Sequence, residues 1–137
     1  MGNERTLLIV KPDGVSRGLV GDVLLRVERK GYRIEEIKSM TMERDLAEKH
    51  YAEHKGEQYY DNLIDYITEG SVVIAIISGE NSIENLRKIM GATDPLDATA
   101  GSIRGAYATS VTRNLVHGSD SNESAAREIA LFFPEIG

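Results

Sequence analysis

The hydrophobic pattern begins with Thr6-Leu7-Leu8-Ile9-Val10, a short apolar run rich in branched side chains that closes at Lys11-Pro12-Asp13-Gly14. Bounded by turn residues, it reads as a central strand delivering Lys11 to a turn at the sheet's edge. Helical spacing follows, with Val20, Val23, Leu24 and Val27 on one stripe, Ser16 as the predicted cap, Lys30 in the last turn and Gly31 as terminator. Alternation from Tyr32 to Met42 is looser and predicts a second strand, with Ile34, Ile37 and Met40 facing inward. The Glu35-Glu36 pair within it predicts an exposed portion or a bulge. Asp45 and Glu48 form a capping-box-like start to a helix carrying His50, Tyr51 and His54, broken at Gly56. Another helix carries Tyr60, Leu63, Ile64 and Ile67 and ends at Gly70. Val72 to Ile77 is the most apolar run and predicts a strand covered on both faces or lying at a subunit interface. Ser82 is the predicted cap of a helix that buries Ile83, Leu86, Ile89 and Met90, with Glu84 supporting Lys88 and Gly91 as its stop.

Between Gly91 and Arg113 no clean period survives. An irregular segment of about 20 residues in a compact domain is typically either functional or disordered; Pro95 and the scattered polar residues favour a folded, functional loop at about 91–113. Leu115-Val116-His117 allows only a brief strand, and Asp120, with Glu123 after it, is the predicted cap of a last helix burying Ala125, Ile129, Phe132 and Phe133 before Pro134. The order β, α, β, α-α, β, α, loop, short β, α predicts a single α/β (α+β) domain over 1–137. Its expected architecture is a ferredoxin-like four-stranded antiparallel sheet with helices packed on one face.

Composition narrows the function classes. A chain of 137 residues with 41% hydrophobic and 28% charged content suits one soluble domain with a real core. Its net charge of −6, from 22 acidic and 16 basic residues, argues against a nucleic-acid or anionic-membrane surface, but leaves room for a local cationic pocket. With no Cys there is no disulfide, thiolate nucleophile or Cys-based metal site. No apolar run approaches membrane-spanning length and the first residues carry no signal-like core, so a cytoplasmic location is expected.

The usual phosphate-loop, dinucleotide, hydrolase and zinc-protease motifs are missing, and glycines 14, 18 and 21 are better suited to a turn and a close helix–strand contact. His50 and His54 have a spacing that can chelate a metal, but without a third His or Cys nearby a solvated helix face or an anion contact is the better reading. Tyr60 begins an apolar stripe; Tyr59 lies off it and could serve as a stacking platform for a base. Lys11, Arg87 and Arg104 sit at element boundaries or in the long loop, where binding residues gather. Thr93, Asn114 and Ser119 are loop polar residues that spacing alone does not select. His117 has small and polar neighbours and a ring that stays neutral and nucleophilic at little cost. Taken alone, it is more simply a turn histidine bonding locally.

Asn114-Leu115-Val116-His117-Gly118-Ser119-Asp120 resembles the N-x-x-H-G-S-D signature of the nucleoside diphosphate kinase family. Thr6 to Gly14, His50 to Lys55, Met90 to Pro95 and Ser102 to Gly105 are similar to that family's other blocks, in order, so the resemblance runs from Arg5 to Phe133. It implies a catalytic set of His117, Glu128, Lys11, Tyr51 and Ser119. In that scheme Nδ1 of His117 takes the γ-phosphoryl group of a nucleoside triphosphate and passes it to a nucleoside diphosphate, while Glu128 accepts a hydrogen bond from the other ring nitrogen. Lys11, Tyr51, His54, Arg87, Thr93 and Arg104 would surround the phosphates, with Lys11 and Asn114 also reaching the ribose. The base would lie between Tyr59 and Val111, near Leu63, with no group reading its identity. The resemblance further implies Mg²⁺ bound through nucleotide phosphates with no direct protein ligand, ribo- and deoxyribonucleotide substrates, and a homo-oligomer.

Such a site is physically coherent, because phosphoryl transfer asks mainly for positioning and charge neutralisation. The chain departs from the family at Tyr59, where Phe is usual, and at Ala100, where Pro is common. It ends at Gly137 without the longer tail that many members use across subunits, so a hexamer and a tetramer, both built on a common dimer, stay open. The alternative is a ferredoxin-like nucleotide-binding regulatory module without turnover.

Overall fold

The opening apolar run becomes β1 (Asn3–Val10), an inner strand of the sheet. The computed structural model describes residues 3–136. After β1 come α1 (Pro12–Ser16), α2 (Val20–Arg29), β2 (Arg33–Thr41), α3 (Arg44–His50), α4 (Tyr60–Ile67) and β3 (Ser71–Glu80). They are followed by α5 (Ser82–Met90), α6 (Ile103–Tyr107), β4 (Val116–Gly118) and α7 (Asn122–Phe132), with 3₁₀ turns at Ala52–His54 and Pro95–Asp97. The strands run β2-β3-β1-β4 and every neighbouring pair is antiparallel, giving the expected ferredoxin-like sheet.

Helices cover both faces of that sheet, which corrects the one-face expectation. Leu7, Ile9, Ile74 and Ile76 pack with Ile64 of α4 and with Ile129 and Phe132 of α7. Leu8, Val10, Ala75 and Ile77 pack with Val23 and Val27 of α2 and Leu86 of α5 on the other side. An apolar run without alternation needs this arrangement, since successive side chains on a strand point to opposite faces. All eight of these strand residues are fully buried, so the expectation that the third strand is covered on both faces holds. The expected bulge is present between Ile34 and Glu36. It interrupts the alternation of the edge strand β2, and Ile37, expected to face inward, is 49% exposed.

Several predicted caps are displaced. Ser16 ends α1 rather than opening α2: Pro12 at the first helical position starts a short helix of its own, and α2 begins after Leu19 with no side-chain cap. Asp45 and Glu48 form no capping box, because Glu43 precedes α3 and the Asp45 carboxylate accepts from Leu46 N. The same helix stops at His50, leaving His54 in a 3₁₀ turn. Ser82 is the first residue of α5, where its hydroxyl donates to Glu4 O, and the Glu4 side chain accepts from Ile83 N. Ser121, not Asp120, caps α7 by accepting from Ser124 N at 3.0 Å. Strand β4 begins one residue late because Leu115 sits at φ 80°, outside the extended region. The segment 91–113 is folded, with Ser102 capping α6 through Gly105 N.

Two of these details position the site. A Cβ on Gly14 would lie 2.8 Å from Val10 Cγ1 and 3.0 Å from Leu115 O, so only glycine lets α1 approach the junction of β1 and β4 this closely. Lys11 N donates to Leu115 O at 2.8 Å across the same junction.

Candidate active site

The register of β1 against β4 pairs Ile9 with His117 and Val10 with Val116. Lys11, one residue past the end of β1, therefore arrives beside Asn114, and its ammonium donates to Asn114 Oδ1 at 2.9 Å. The Asn114 amide nitrogen is fully used by Thr93 O and Val111 O, both at 3.1 Å, so this one side chain ties the long loop to Lys11. Below it, His117 Nε2–H donates to Glu128 Oε1 at 2.8 Å. Glu128 comes from α7 and is buried; the Ser119 hydroxyl donates to the same oxygen at 2.8 Å and itself accepts from Leu7 N at 3.1 Å. Arg127 Nη2 lies 3.6 Å from the other carboxylate oxygen. A carboxylate can only accept, so Nε2 carries the proton and Nδ1 of a neutral ring keeps its lone pair.

His117 lines a cavity of about 470 Å³. Lys11, Tyr51, His54, Tyr59, Leu63, Arg87, Thr93, Arg104, Val111, Asn114 and Glu128 line it too, so every expected site residue except Ser119 meets there. Ser119 is fully buried behind the histidine, with its hydroxyl proton committed to Glu128; it offers no donor to an incoming anion. Tyr59 and Val111 are exposed hydrophobic residues of the cavity wall.

Two cations of the cavity, Lys11 and Arg104, are buried, whereas Arg87 is exposed. Burial, and next the charge of Arg104, pull the Lys11 ammonium down to about 7, while Asp13 opposes them. Arg104 is buried as well, and it donates to Asn114 O, Gly91 O and Val116 O at 3.2, 2.8 and 2.6 Å. Burial and then the neighbouring Arg87 lower its guanidinium to about 10. The Tyr51 hydroxyl has no protein partner, and its pKa is raised by burial and then by Glu128. It remains a neutral hydroxyl, buried with its proton unused.

His50 departs from the expected solvated helix face or anion contact. Only 3% of it is exposed, neither ring nitrogen has a partner, and its ring stands edge-on to that of His117 with centroids 4.9 Å apart. Burial, followed by the charge of His117, Arg127, Lys11 and His54, holds its pKa well below the usual imidazole range. It lies three residues after buried Ala47 on the same face of α3, a spacing that the sequence reading did not use. Tyr66, also unselected, donates to the Asp13 carboxylate and lies under Lys11 with its ring centroid 5.8 Å from the ammonium. A ring with one uncommitted lone pair, in a cavity that also holds Lys11, Arg87 and Arg104, has the chemistry to attack an electrophile such as a phosphoryl group.

The sequence model described as Nucleoside diphosphate kinase matches residues 4–136. The chain belongs to the nucleoside diphosphate kinase family. Among its family relatives, the nucleoside diphosphate kinase of Pelotomaculum thermopropionicum is 53% identical over 130 residues, covering 95% of this chain and 87% of that protein. That of Saccharopolyspora erythraea is 53% identical over 135 residues, covering 98% and 99%. Among solved structures, the nucleoside diphosphate kinase of Halobacterium salinarum in complex with CDP superimposes with a TM-score of 0.94 at 45% identity, covering 96% of this chain and 88% of that one. The Aquifex aeolicus enzyme gives 0.93 at 36% identity, covering 96% of both.

Proposed function

We propose that the chain acts as a nucleoside diphosphate kinase through a phosphohistidine on His117, with little regard to the base. The observation that carries this reading is the His117–Glu128–Ser119 arrangement, which commits Nε2 and leaves Nδ1 as the nucleophilic nitrogen of a cavity lined by Lys11, Arg87 and Arg104. In the first half-reaction the Nδ1 lone pair forms a bond to the γ-phosphorus. The bond from that phosphorus to the bridging oxygen breaks, and its electron pair leaves with the nucleoside diphosphate. Glu128 holds the Nε2 proton as positive charge builds on the ring, and Ser119 holds Glu128. The second half-reaction runs the same steps backward onto another nucleoside diphosphate. Lys11, Tyr51, His54, Arg87, Thr93 and Arg104 bind the phosphates; Asn114 orients Lys11 toward phosphate and ribose.

Among the described residues no group of three or more His, Asp or Glu side chains could hold a metal, and the cavity's cations and hydroxyls suit phosphate oxygens. Mg²⁺ would therefore be held through the nucleotide, where it neutralises charge on the phosphate oxygens. Stacking between Tyr59 and Val111 near Leu63 accepts any base, because each has a flat π-face. The partners are ribo- and deoxyribonucleoside di- and triphosphates, and the working protein is a cytoplasmic homo-oligomer, a hexamer or a tetramer built from dimers. No helix among the described residues is long and apolar enough to cross a membrane.

The test is labelling. Mg²⁺ and γ-labelled ATP should give an acid-labile, alkali-stable phosphoprotein that passes its label to GDP. A wild-type protein that stays unlabelled, or His117→Ala labelling equally, refutes the reading; nucleotide binding without labelling would instead favour the regulatory module.

A further inference from the structure

His54 lies in a 3₁₀ turn at the cavity wall, flanked by two tyrosines. The Tyr51 ring stands 6.0 Å away, centroid to centroid, at 62°, and the Tyr59 ring 5.6 Å away at 60°. Tyr59 does more than flank it: its hydroxyl sits 2.7 Å from His54 Nδ1. The Phe usual at this position in the family has a ring but no hydroxyl, so the contact belongs to this chain's departure from the pattern.

We propose that the Tyr59 hydroxyl is a positioning group that holds His54 through Nδ1, so that Nε2 presents a proton to the phosphate chain of a bound nucleotide. This rests on the reading of the cavity as a nucleoside di- and triphosphate site. The tautomer decides the outcome. A neutral imidazole with its proton on Nδ1 would turn the Nε2 lone pair toward phosphate oxygens, which is repulsive; a phenol donating to Nδ1 selects the opposite form. If the ring takes a second proton, the same oxygen accepts from Nδ1–H, and Nε2 still carries its own. One hydroxyl thus serves both charge states.

The bond also links two parts of the ligand. Tyr59 is 46% exposed in the free protein, where water competes for its hydroxyl. A base stacked on its ring excludes that water and strengthens the Tyr59–His54 bond. Stacking of the base therefore firms the grip on the phosphates.

The experiment is a double-mutant cycle on the full chain, with Tyr59→Phe, His54→Ala and the pair, reading the Kd of ADP by calorimetry at pH 8. With His54 present, Tyr59→Phe should weaken ADP about three- to tenfold, the worth of one hydrogen bond. In the His54→Ala background it should change Kd by less than about twofold, since the hydroxyl then has nothing to hold. Equal losses in both backgrounds, or none in either, overturn the proposal. Nitrogen-15 spectra of the free protein supply a readout that packing alone does not move: His54 Nδ1 should show as an unprotonated acceptor in the wild type and as a tautomer mixture in Tyr59→Phe. Identical spectra also overturn it. The spectra need no turnover, so failed His117 labelling with the tautomer signature intact would count against the kinase reading and leave this one standing.

Discussion

Lys11→Met should make the unliganded protein more stable while removing its phosphoryl transfer. The Lys11 ammonium is 7% exposed, and its pKa falls from 10.5 to about 7. The unfolded chain therefore holds this proton more tightly than the folded one between those values, and folding gains stability as pH rises through that window. Below about 7 the full opposing term is present, about 3.5 pKa units at 1.36 kcal/mol each, or about 5 kcal/mol. Methionine keeps the length and removes the charge. It also deprives Asn114 Oδ1 of its 2.9 Å donor, a loss of about 2–3 kcal/mol for a bond to a charged group. The net gain at pH 6 is about 2 kcal/mol, or about 6 °C in Tm for a domain of this size. By pH 9.5 about 3 kcal/mol of the wild type's handicap has gone and the variant should be the less stable of the two. Thermal melts of both proteins at fixed concentration across pH 6 to 9.5 read the crossing directly. A variant less stable than wild type at pH 6, or a gap that does not move with pH, refutes the argument. The same logic requires bound phosphate to draw a proton onto Lys11, so ADP binding at pH 8 should take up protons, seen as a buffer-dependent heat.

Glu128→Ala strips the carboxylate from His117 Nε2 and the Ser119 hydroxyl; urea unfolding should show a loss of about 3 kcal/mol, and a loss under about 1 would mean that water replaces it freely. His50, buried neutral by desolvation first and then by the charges of His117, Arg127, Lys11 and His54, is charged in the unfolded chain below pH 6.5. Stability present above pH 6.5 is thus lost as pH falls, by about 1.4 kcal/mol per unit, and His50→Phe should flatten that slope whatever it does to the absolute value. A Cβ on Gly105 would lie 1.9 Å from Thr99 O, so Gly105→Ala should cost about 2–3 kcal/mol by forcing α6 off its cap. An unchanged midpoint would show that the loop relaxes.

The sheet was legible because β1 and β3 are continuous apolar runs, and antiparallel order followed from the sequence of elements. The same continuity also implied helices on both faces, a consequence missed by reading the topology as one-sided. Caps misled wherever the donor or acceptor came from afar: α5 is capped by Glu4, 79 positions before Ile83, and no local spacing encodes that. The site split in the same way. Lys11, Arg87, Arg104 and Asn114 stood at boundaries and in the loop, where ligand contacts gather, yet only the register of β1 with β4 brings Lys11 onto Asn114. Ser119, implied as a member of the catalytic set, is buried behind the nucleophile, and His50, read as part of a solvated helix face or an anion contact, is packed on the nucleophile's ring. Burial of a single polar loop residue leaves no periodic trace.

Arg104 has a consequence outside chemistry. By holding Gly91 O at one end of the long loop and Asn114 O at the other, it joins the Asn114 side chain in closing the loop, and Leu96 at the tip is 93% exposed. The stretch around Leu96 is a handle, while Thr93, Arg104 and Val111 of the same loop stay in the cavity wall. Changes confined to that tip need not reach the nucleophile, so a lineage can alter what this enzyme displays to other molecules without renegotiating what it catalyses. Engineering can use the same separation: a recognition peptide spliced near Leu96 should be carried by an intact catalytic body, whereas one spliced at either fastened end should not.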